Sequence, residues 1–299
     1  MNARRIGVYR EKALSFLFAA LALSSLVFLV GIILTLFVQS VPILREIRFL
    51  DLVFGEYWYP THEEARFGMW PLIVGSAAVT AGAMVICVPI GVGTALFIHE
   101  IASDTLRSVL KPVIEILAGI PSIVYGFFGM VVVAPFLQDL LSIPTGLCAF
   151  TASLVLGIMA IPTIASLSED ALSFVPRSFR EASLALGATR WQTLTRVVMP
   201  AAGSGISTAI ILGMGRAVGE TMTVLMVAGG AAVVPKSLFD PVRPMTSTIA
   251  AEMGEAVVGS LHFSALFAIG LFLFVITLGI NVMAEIISRR FRLKLGIGR

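Results

Sequence analysis

The sequence predicts an all-α integral membrane protein with six transmembrane helices. Three observations carry that expectation: the composition, the apolar runs, and the sharing of Lys and Arg among the segments between them. Hydrophobic residues make up 58% of the 299-residue chain and charged residues 13%, for a mean hydropathy of +0.97. A soluble domain carries about half apolar and about a quarter charged residues. This chain is written for a bilayer.

Crossing the hydrocarbon takes roughly 20 apolar residues in a helix. Six runs meet that length, at about 14 to 38, 71 to 98, 112 to 137, 147 to 167, 203 to 229 and 263 to 284, and only Glu115, Arg216 and Glu220 are charged within them. The first run follows Arg4, Arg5, Arg10 and Lys12 and precedes the small residue Ser40, as a signal peptide would. Its apolar length exceeds the roughly 7 to 15 residues of a signal core, so a retained anchor is expected.

Positive charge is held on the cytoplasmic side of a membrane. With both termini cytoplasmic, 15 of the 21 Lys and Arg residues lie inside, while Arg45, Arg48, Arg66, Lys236 and Arg243 lie outside and Arg216 sits within a span. That partition predicts the orientation. It also accounts for the net charge of +3 without a nucleic-acid partner, since anionic lipid attracts the cytoplasmic residues.

Both cysteines, Cys87 and Cys148, fall in apolar runs, where a thiol behaves as a small hydrophobe. The two stretches "HEEAR" at His62 and "HEIAS" at His99 lack the second histidine of a zinc-protease helix, so neither a metal nor a cofactor is expected. No run matches a phosphate-cradling glycine-lysine loop. If the work consumes ATP, another chain hydrolyses it.

Between the fourth and fifth runs lie some 35 residues, "SEDALSFVPRSFREASLALGATRWQTLTRVVMPAA", far more than the roughly 2 to 8 of a tight helical connection. Ser178 with Glu181 reads as a capping box that starts a helix near Phe179. Gly187 is its expected stop, because glycine takes the left-handed conformation without steric cost. Thr189 with Gln192 reads as a second capping box, and Pro200 marks the turn into the next span. Amphipathic helices lying on lipid and a docking surface for another protein are both consistent with this pattern.

The stretch "EASLALGATRWQTLTRVVMPAA" resembles the EAA loop of the permease subunits of bacterial ABC importers, the binding-protein-dependent transport permeases. Glu181 and Ala182 open the loop, Gly187 stands at the characteristic offset, and Pro200 closes it; Ser183 replaces the usual second alanine. The resemblance implies a type I (MetI-like) permease core preceded by one additional N-terminal helix. It also implies that the helix before the glycine inserts into a groove of an ATPase subunit, with Glu181, Ala182 and Gly187 at the contact. Further outward, "LAGIPSIVYGFFG" (117 to 129), "IPTIASLSEDALSFVPRSFREASLALGATRWQT" (161 to 193) and "GRAVGETMTVLMVAGG" (215 to 230) look like the PstC-type permeases of phosphate importers. The likeness covers roughly residues 70 to 290, and the tyrosine of "GIPSIVYG" favours the PstC type over the related PstA type.

Arg216 and Glu220 stand four apart in the fifth run, on one helical face and close enough to pair. If that run enters from the cytoplasm near Gly203, Arg216 sits roughly 20 Å deep, near the bilayer midplane. A charge there costs about 2.5 to 3.5 kcal/mol. A packing device alone could use small residues, and Gly215 and Gly219 already supply that spacing. An arginine fork suits a tetrahedral oxyanion, and Glu220 would offset its charge. The resemblance implies a place in phosphate passage for both residues. Pro121, inside an otherwise helical run, is expected to kink its helix and is a candidate gate. Glu115 reads as an interfacial charge near Lys111.

The outer segments, 39 to 70 and 230 to 262, are long enough for short helices, with residues 246 to 258 readable as one lying on the surface. The expected organisation is an N-terminal tail, first span and external segment (1–70), a type-1 transmembrane domain (71–288) that includes the EAA-like loop 169–200, and a basic cytoplasmic tail (289–299). By resemblance the partners are a second permease of PstA type, two copies of a PstB-type ATPase and a PstS-type phosphate-binding protein outside the bacterial inner membrane. Three readings compete: a permease for sulfate or molybdate, a secondary transporter or channel, and a scaffold. Secondary transporters often carry inverted repeats, which are not evident here, and a scaffold gives Arg216 no purpose.

Overall fold

The computed structural model describes residues 2–294, and the side chains of residues 2–13, 284 and 287–294 are outside the description. Most of the basic residues expected at the two termini therefore fall outside the described side chains. Among the described residues six helical stretches are long and apolar enough to span a membrane: Leu14–Glu46, Trp70–Ile101, Ser122–Leu141, Ala149–Ser173, Arg190–Val218 and Leu261–Met283.

Helix α1 (Asn2–Glu46) packs along α13 (Leu261–Lys294) and turns the rest of its apolar surface outward, as a lipid-facing helix does. A short helix α2 (Phe49–Phe54) and a small hairpin of β1 (Trp58–Tyr59) and β2 (Arg66–Phe67) follow. They close one end of the protein, where Leu52, Trp58, Phe67 and Met69 join Leu72, Met245, Leu266 and Ile269 in one buried cluster. Helix α3 (Trp70–Leu96) continues through a π-helical turn, Phe97–Ile101.

At the centre stands α7 (Ala149–Ser173), packed by α3, by α4 (Asp104–Ala118) and by α10 (Met199–Val218). Glycines set the approach of α10: a Cβ on Gly205 would lie 2.5 Å from the Ala171 side chain, and one on Gly213 would lie 2.6 Å from Ile164. Gly215 and Gly219 make no such contact, so the predicted small-residue pair is not the seam. The seam lies two residues earlier in phase.

Two of the predicted spans are each divided. The run 112 to 137 is broken at Gly119–Pro121, between α4 and α5 (Ser122–Phe128), and continues through a π turn (Gly129–Val133) into α6 (Ala134–Leu141). Pro121 does not kink a continuous helix: with φ −59° and ψ 138° it caps the start of a new one, because its ring fits a helix's first turn and blocks a preceding one. The run 203 to 229 is broken at Gly219–Thr221, between α10 and α11 (Met222–Val227). The two later halves, α5 and α11, pack on each other, since a Cβ on Gly126 would meet Met226 Sδ at 2.9 Å and Thr223 Cα at 3.1 Å.

On the opposite side, α8 (Arg177–Ala185) starts from Pro176, with no side-chain cap. The expected Ser178–Glu181 box is absent because the helix begins one residue earlier than Ser178 and places that serine inside its first turn. Gly187 has φ +83°, and the amides of Gly187 and Ala188 close the helix on Leu184 and Ser183 carbonyls at 2.9 and 3.2 Å. The second capping box is present at α9 (Arg190–Thr193): Thr189 Oγ1 accepts from Gln192 N at 3.2 Å, and Gln192 Oε1 accepts from Thr189 N at 2.9 Å. Another π turn, Leu194–Val198, leads into α10. Helix α12 (Met245–Glu252) is not laid on the surface as expected; Met245 to Thr248 are buried. Its Thr246 hydroxyl donates to the Glu220 carbonyl at 2.7 Å, which draws it inward.

Candidate translocation site and coupling surface

Arg216 stands at the last turn of α10, opposite the middle of α7. Its Nη1 donates to Thr163 Oγ1 at 3.0 Å and its Nη2 to the Ala118 carbonyl at 3.4 Å. That carbonyl belongs to the last turn of α4, where helix carbonyls have no partner within the helix. The guanidinium thus sits at the negative ends of two helices. Two of its five N–H donors are used by these contacts.

Glu220 is not paired with Arg216. The expected pairing needs a continuous helix, and α10 ends at Val218, so the glutamate swings into the gap before α11. There its Oε1 accepts from Thr223 N at 3.2 Å, a carboxylate at a helix start. The hydroxyl of Thr223 in turn donates to the Ser122 carbonyl at 3.0 Å. Through it the two breaks, at Gly119–Pro121 and Gly219–Thr221, are joined. Both charges are half-buried, and each is stabilised by backbone ends of the fitting sign.

Discontinuous membrane helices place irregular backbone where it lines a cavity or is buried in protein. Here Arg216, Glu220 and the Pro121 break come together at one level of the fold. Glu115 stands apart, exposed on α4.

The expected neighbour of Glu115, Lys111, has other partners. Lys111 Nζ donates to Asp170 at 2.8 Å and to Glu169 at 2.6 Å, and these bonds, Asp170 first, raise its pKa above the ordinary lysine value. Glu169 is 2% exposed and also accepts from Arg107 and faces His99 Nδ1 at 3.1 Å. Sequence reasoning missed this cluster because it ended the fourth span at 167, whereas α7 runs to Ser173. The signal was available in "SEDALS", whose acidic pair continues the helix toward the basic residues of α4.

Glu181, Ala182 and Gly187 lie together on the exposed surface of α8 and its terminal turn. Around them Leu186 is 89% exposed, Phe174 83% and Trp191 69%. The Ser183 and Thr193 hydroxyls, 2.9 Å apart, hold α8 against α9. Large apolar residues rimmed by Arg177, Glu181 and Arg190 make an exposed patch of the kind that either a partner protein or lipid covers.

A second polar cluster, also missed, closes the end formed by the hairpin and α12. Glu252 accepts from Arg243 at 2.6 Å, from Trp58 Nε1 at 3.1 Å, and meets His262 Nε2 at 2.9 Å. It lines a cavity of about 720 Å³ between the hairpin and α12.

Comparison with known proteins follows the same lines. Residues 87–293 match the family described as binding-protein-dependent transport system inner membrane component. The chain is 43% identical to the probable ABC transporter permease protein YqgH of Bacillus subtilis, over 78% of this chain and 75% of that one. It is 38% identical to the phosphate transport system permease protein PstC of Mesorhizobium japonicum, over 93% and 89%. Two solved structures share the fold. A permease chain of the bacterial alginate ABC transporter, solved with an alginate-bound periplasmic protein, has a TM-score of 0.65 at 15% identity, over 94% of this chain and 97% of that one. The inward-facing MetNI methionine ABC transporter has a TM-score of 0.56 at 22% identity, over 75% and 94%. On a match spanning most of its length, the chain belongs to the family of binding-protein-dependent transport system inner membrane components.

Proposed function

We propose that this chain is the permease subunit of an ATP-driven importer that carries inorganic phosphate across the bacterial inner membrane. The observation that supports it best is Arg216: a half-buried guanidinium at the meeting of two broken helices, with N–H donors left over for an oxyanion. Glu220 keeps one carboxylate oxygen beyond its Thr223 contact, suited to the O–H of a protonated phosphate, which sulfate lacks at neutral pH. Relatives named as phosphate transport permeases favour the same substrate.

An ATPase and a substrate-binding protein complete such an importer. Glu181, Ala182 and Gly187 form the ATPase contact, with two PstB-type copies, a PstA-type second permease and a PstS-type binding protein as the full set. Both termini face the cytoplasm. The division into 1–70, 71–288 and 289–299 follows, with the coupling loop within 169–200, and the break at Pro121 supplies a flexible joint beside Arg216.

The test is uptake of radiolabelled phosphate by proteoliposomes holding the complete importer, with sulfate and molybdate as competitors. Uptake that needs ATP and resists a large excess of sulfate supports the reading. Uptake of sulfate or molybdate instead would move the chain to a different oxyanion.

A further inference from the structure

A buried imidazole stands between α8 and the membrane helix α7. His99, in the π turn that ends α3, has a side chain 6% exposed. Its Nδ1 lies 3.1 Å from Glu169 Oε1 on α7, and its Nε2 lies 2.9 Å from Arg180 Nη2 on α8. A guanidinium only donates, and a carboxylate only accepts. With the proton on Nδ1, the ring donates to Glu169 and accepts from Arg180, so both contacts are hydrogen bonds. With the proton on Nε2, both are repulsive. Glu169 and Arg180 together favour the Nδ1-protonated tautomer.

Other charged groups surround the ring. Arg107 on α4 brings Nη2 within 2.8 Å of Nδ1 while donating one of that nitrogen's two N–H groups to Glu169, and it is the one donor that the Nδ1-protonated ring does not accept from. Glu100, beside His99, pairs with Arg180 at 2.7 Å and stays 3.8 Å from Nε2. Lys111 and Asp170 complete the cluster around Glu169. Glu169, gripped by Lys111 and Arg107 and shut off from water, is a fixed point on α7. Six residues along the same helix stands Thr163, the partner of Arg216.

We propose that neutral His99 is a positioning residue that transmits movement of α8 to α7 by joining Arg180 to Glu169, and that its protonation from the cytoplasmic side opens the joint. A second proton converts Nε2 from acceptor to donor and sets an imidazolium against the Arg180 guanidinium. Arg180 then keeps only its Glu100 contact on the π turn and loses its route to α7. Imidazole is the side chain that changes charge within the range of cytoplasmic acidification. The proposal rests on α8 being the ATPase contact.

The experiment uses the complete importer in proteoliposomes with the ATPase side outward, so that cytoplasmic-side pH is set between 5.5 and 8 while the binding-protein side is constant. The readout is phosphate transported per ATP hydrolysed, which removes the ATPase's own pH response. For the wild type this ratio is expected to fall about fivefold toward pH 5.5, a change within the usual range of coupling between sites. His99→Gln offers an amide donor to Glu169 and a carbonyl acceptor to Arg180 at every pH, and is expected to hold the neutral-pH ratio without the acid loss. His99→Ala is expected to be low throughout, with ATP hydrolysis retained. A wild-type ratio in His99→Ala, a wild-type pH profile in His99→Gln, or a glutamine variant as uncoupled as the alanine one each overturns the relay. If His99→Ala does not assemble, the pH profile of His99→Gln decides alone. Failure of the coupling reading shows separately, as undiminished ATPase association in Gly187→Leu.

Discussion

The Arg216 guanidinium is held by the Thr163 hydroxyl at 3.0 Å, which fixes the end of α10 against the middle of α7. A β-branched side chain has few χ1 choices, so the hydroxyl presents a firm acceptor to the arginine. Thr163→Val keeps the shape and removes the acceptor. A hydrogen bond from a charged donor contributes about 1.5 to 3 kcal/mol, less here because Arg216 is only half-buried. Assembly is expected to survive while phosphate uptake falls several-fold, and Thr163→Ser is expected to restore it. Equal uptake by the valine variant and the wild type would mean that Thr163 does not position the arginine.

Gly187 offers a test that separates backbone from partner. Its φ is +83°, and a Cβ there would meet no atom of this chain within 4 Å. Alanine and leucine therefore carry the same backbone cost, about 1 to 2 kcal/mol for a left-handed L-residue. Any further loss in Gly187→Leu comes from a partner that covers the turn. ATPase pull-down is expected to fall for alanine and to fall further for leucine, with membrane insertion normal for both. Equal retention by the two variants would argue against an ATPase groove at this turn.

The joint between the half-helices α5 and α11 depends on Gly126. A Cβ there would press on Met226 Sδ and on the Thr223 backbone; the sulfur can move, but the backbone resists. Gly126→Leu is expected to push α5 from α11 and destabilise the protein by about 1 to 3 kcal/mol, the usual cost of overpacking. Gly126→Ala is expected to cost less. Thermal unfolding of the detergent-purified protein measures both, and leucine tolerated as well as alanine would show that the helices separate freely.

Lys111 links α4 to the end of α7, and its charged form is favoured by Asp170 and Glu169. A cation whose folded pKa is raised contributes stability that is complete below the ordinary lysine range and is lost as pH rises through the folded value. The Lys111 contribution to wild-type stability is therefore expected to fade in strongly alkaline buffer. Lys111→Met leaves Glu169 with fewer partners and is expected to lower stability at neutral pH. The gap between the two proteins should narrow as pH rises past 10.5, the ordinary lysine value.

The membrane architecture was legible because bilayer thickness imposes a run length that any sequence must declare, and the Gly187 turn because only backbone conformation was at stake. Arg216 was singled out as a candidate by its depth in the run, its spacing from Glu220 and the resemblance. The break after Val218 was not, since "AVGETM" is apolar enough to continue a helix and the gap is set by α5 packing on α11. The same limit hid Glu169. A carboxylate near a helix end reads as a loop residue until Lys111 and Arg107 are seen across from it. The acidic pair of "SEDALS" signalled a longer helix, but partners some sixty positions away could be named only from the fold.

Arg216→Lys keeps the charge and discards the fork. The ammonium is a compact charge on a flexible stem, so it cannot hold Thr163 and the Ala118 carbonyl while offering a flat pair of donors to an oxyanion. Uptake is expected to drop about tenfold or more, a difference of roughly 1.4 kcal/mol. Arg216→Gln removes the charge as well, and uptake is expected to collapse while co-purification with the ATPase remains. Exchange of the two residues, Arg216→Glu with Glu220→Arg, is not expected to rescue transport. Arg216 belongs to the last turn of α10 and Glu220 to the gap before α11, so the new glutamate would face the Ala118 carbonyl while the new arginine faces the Thr223 amide. Each charge would then meet backbone of the wrong sign. Near-normal phosphate uptake by Arg216→Gln at matched expression would reduce the arginine to a brace between α4, α7 and α10.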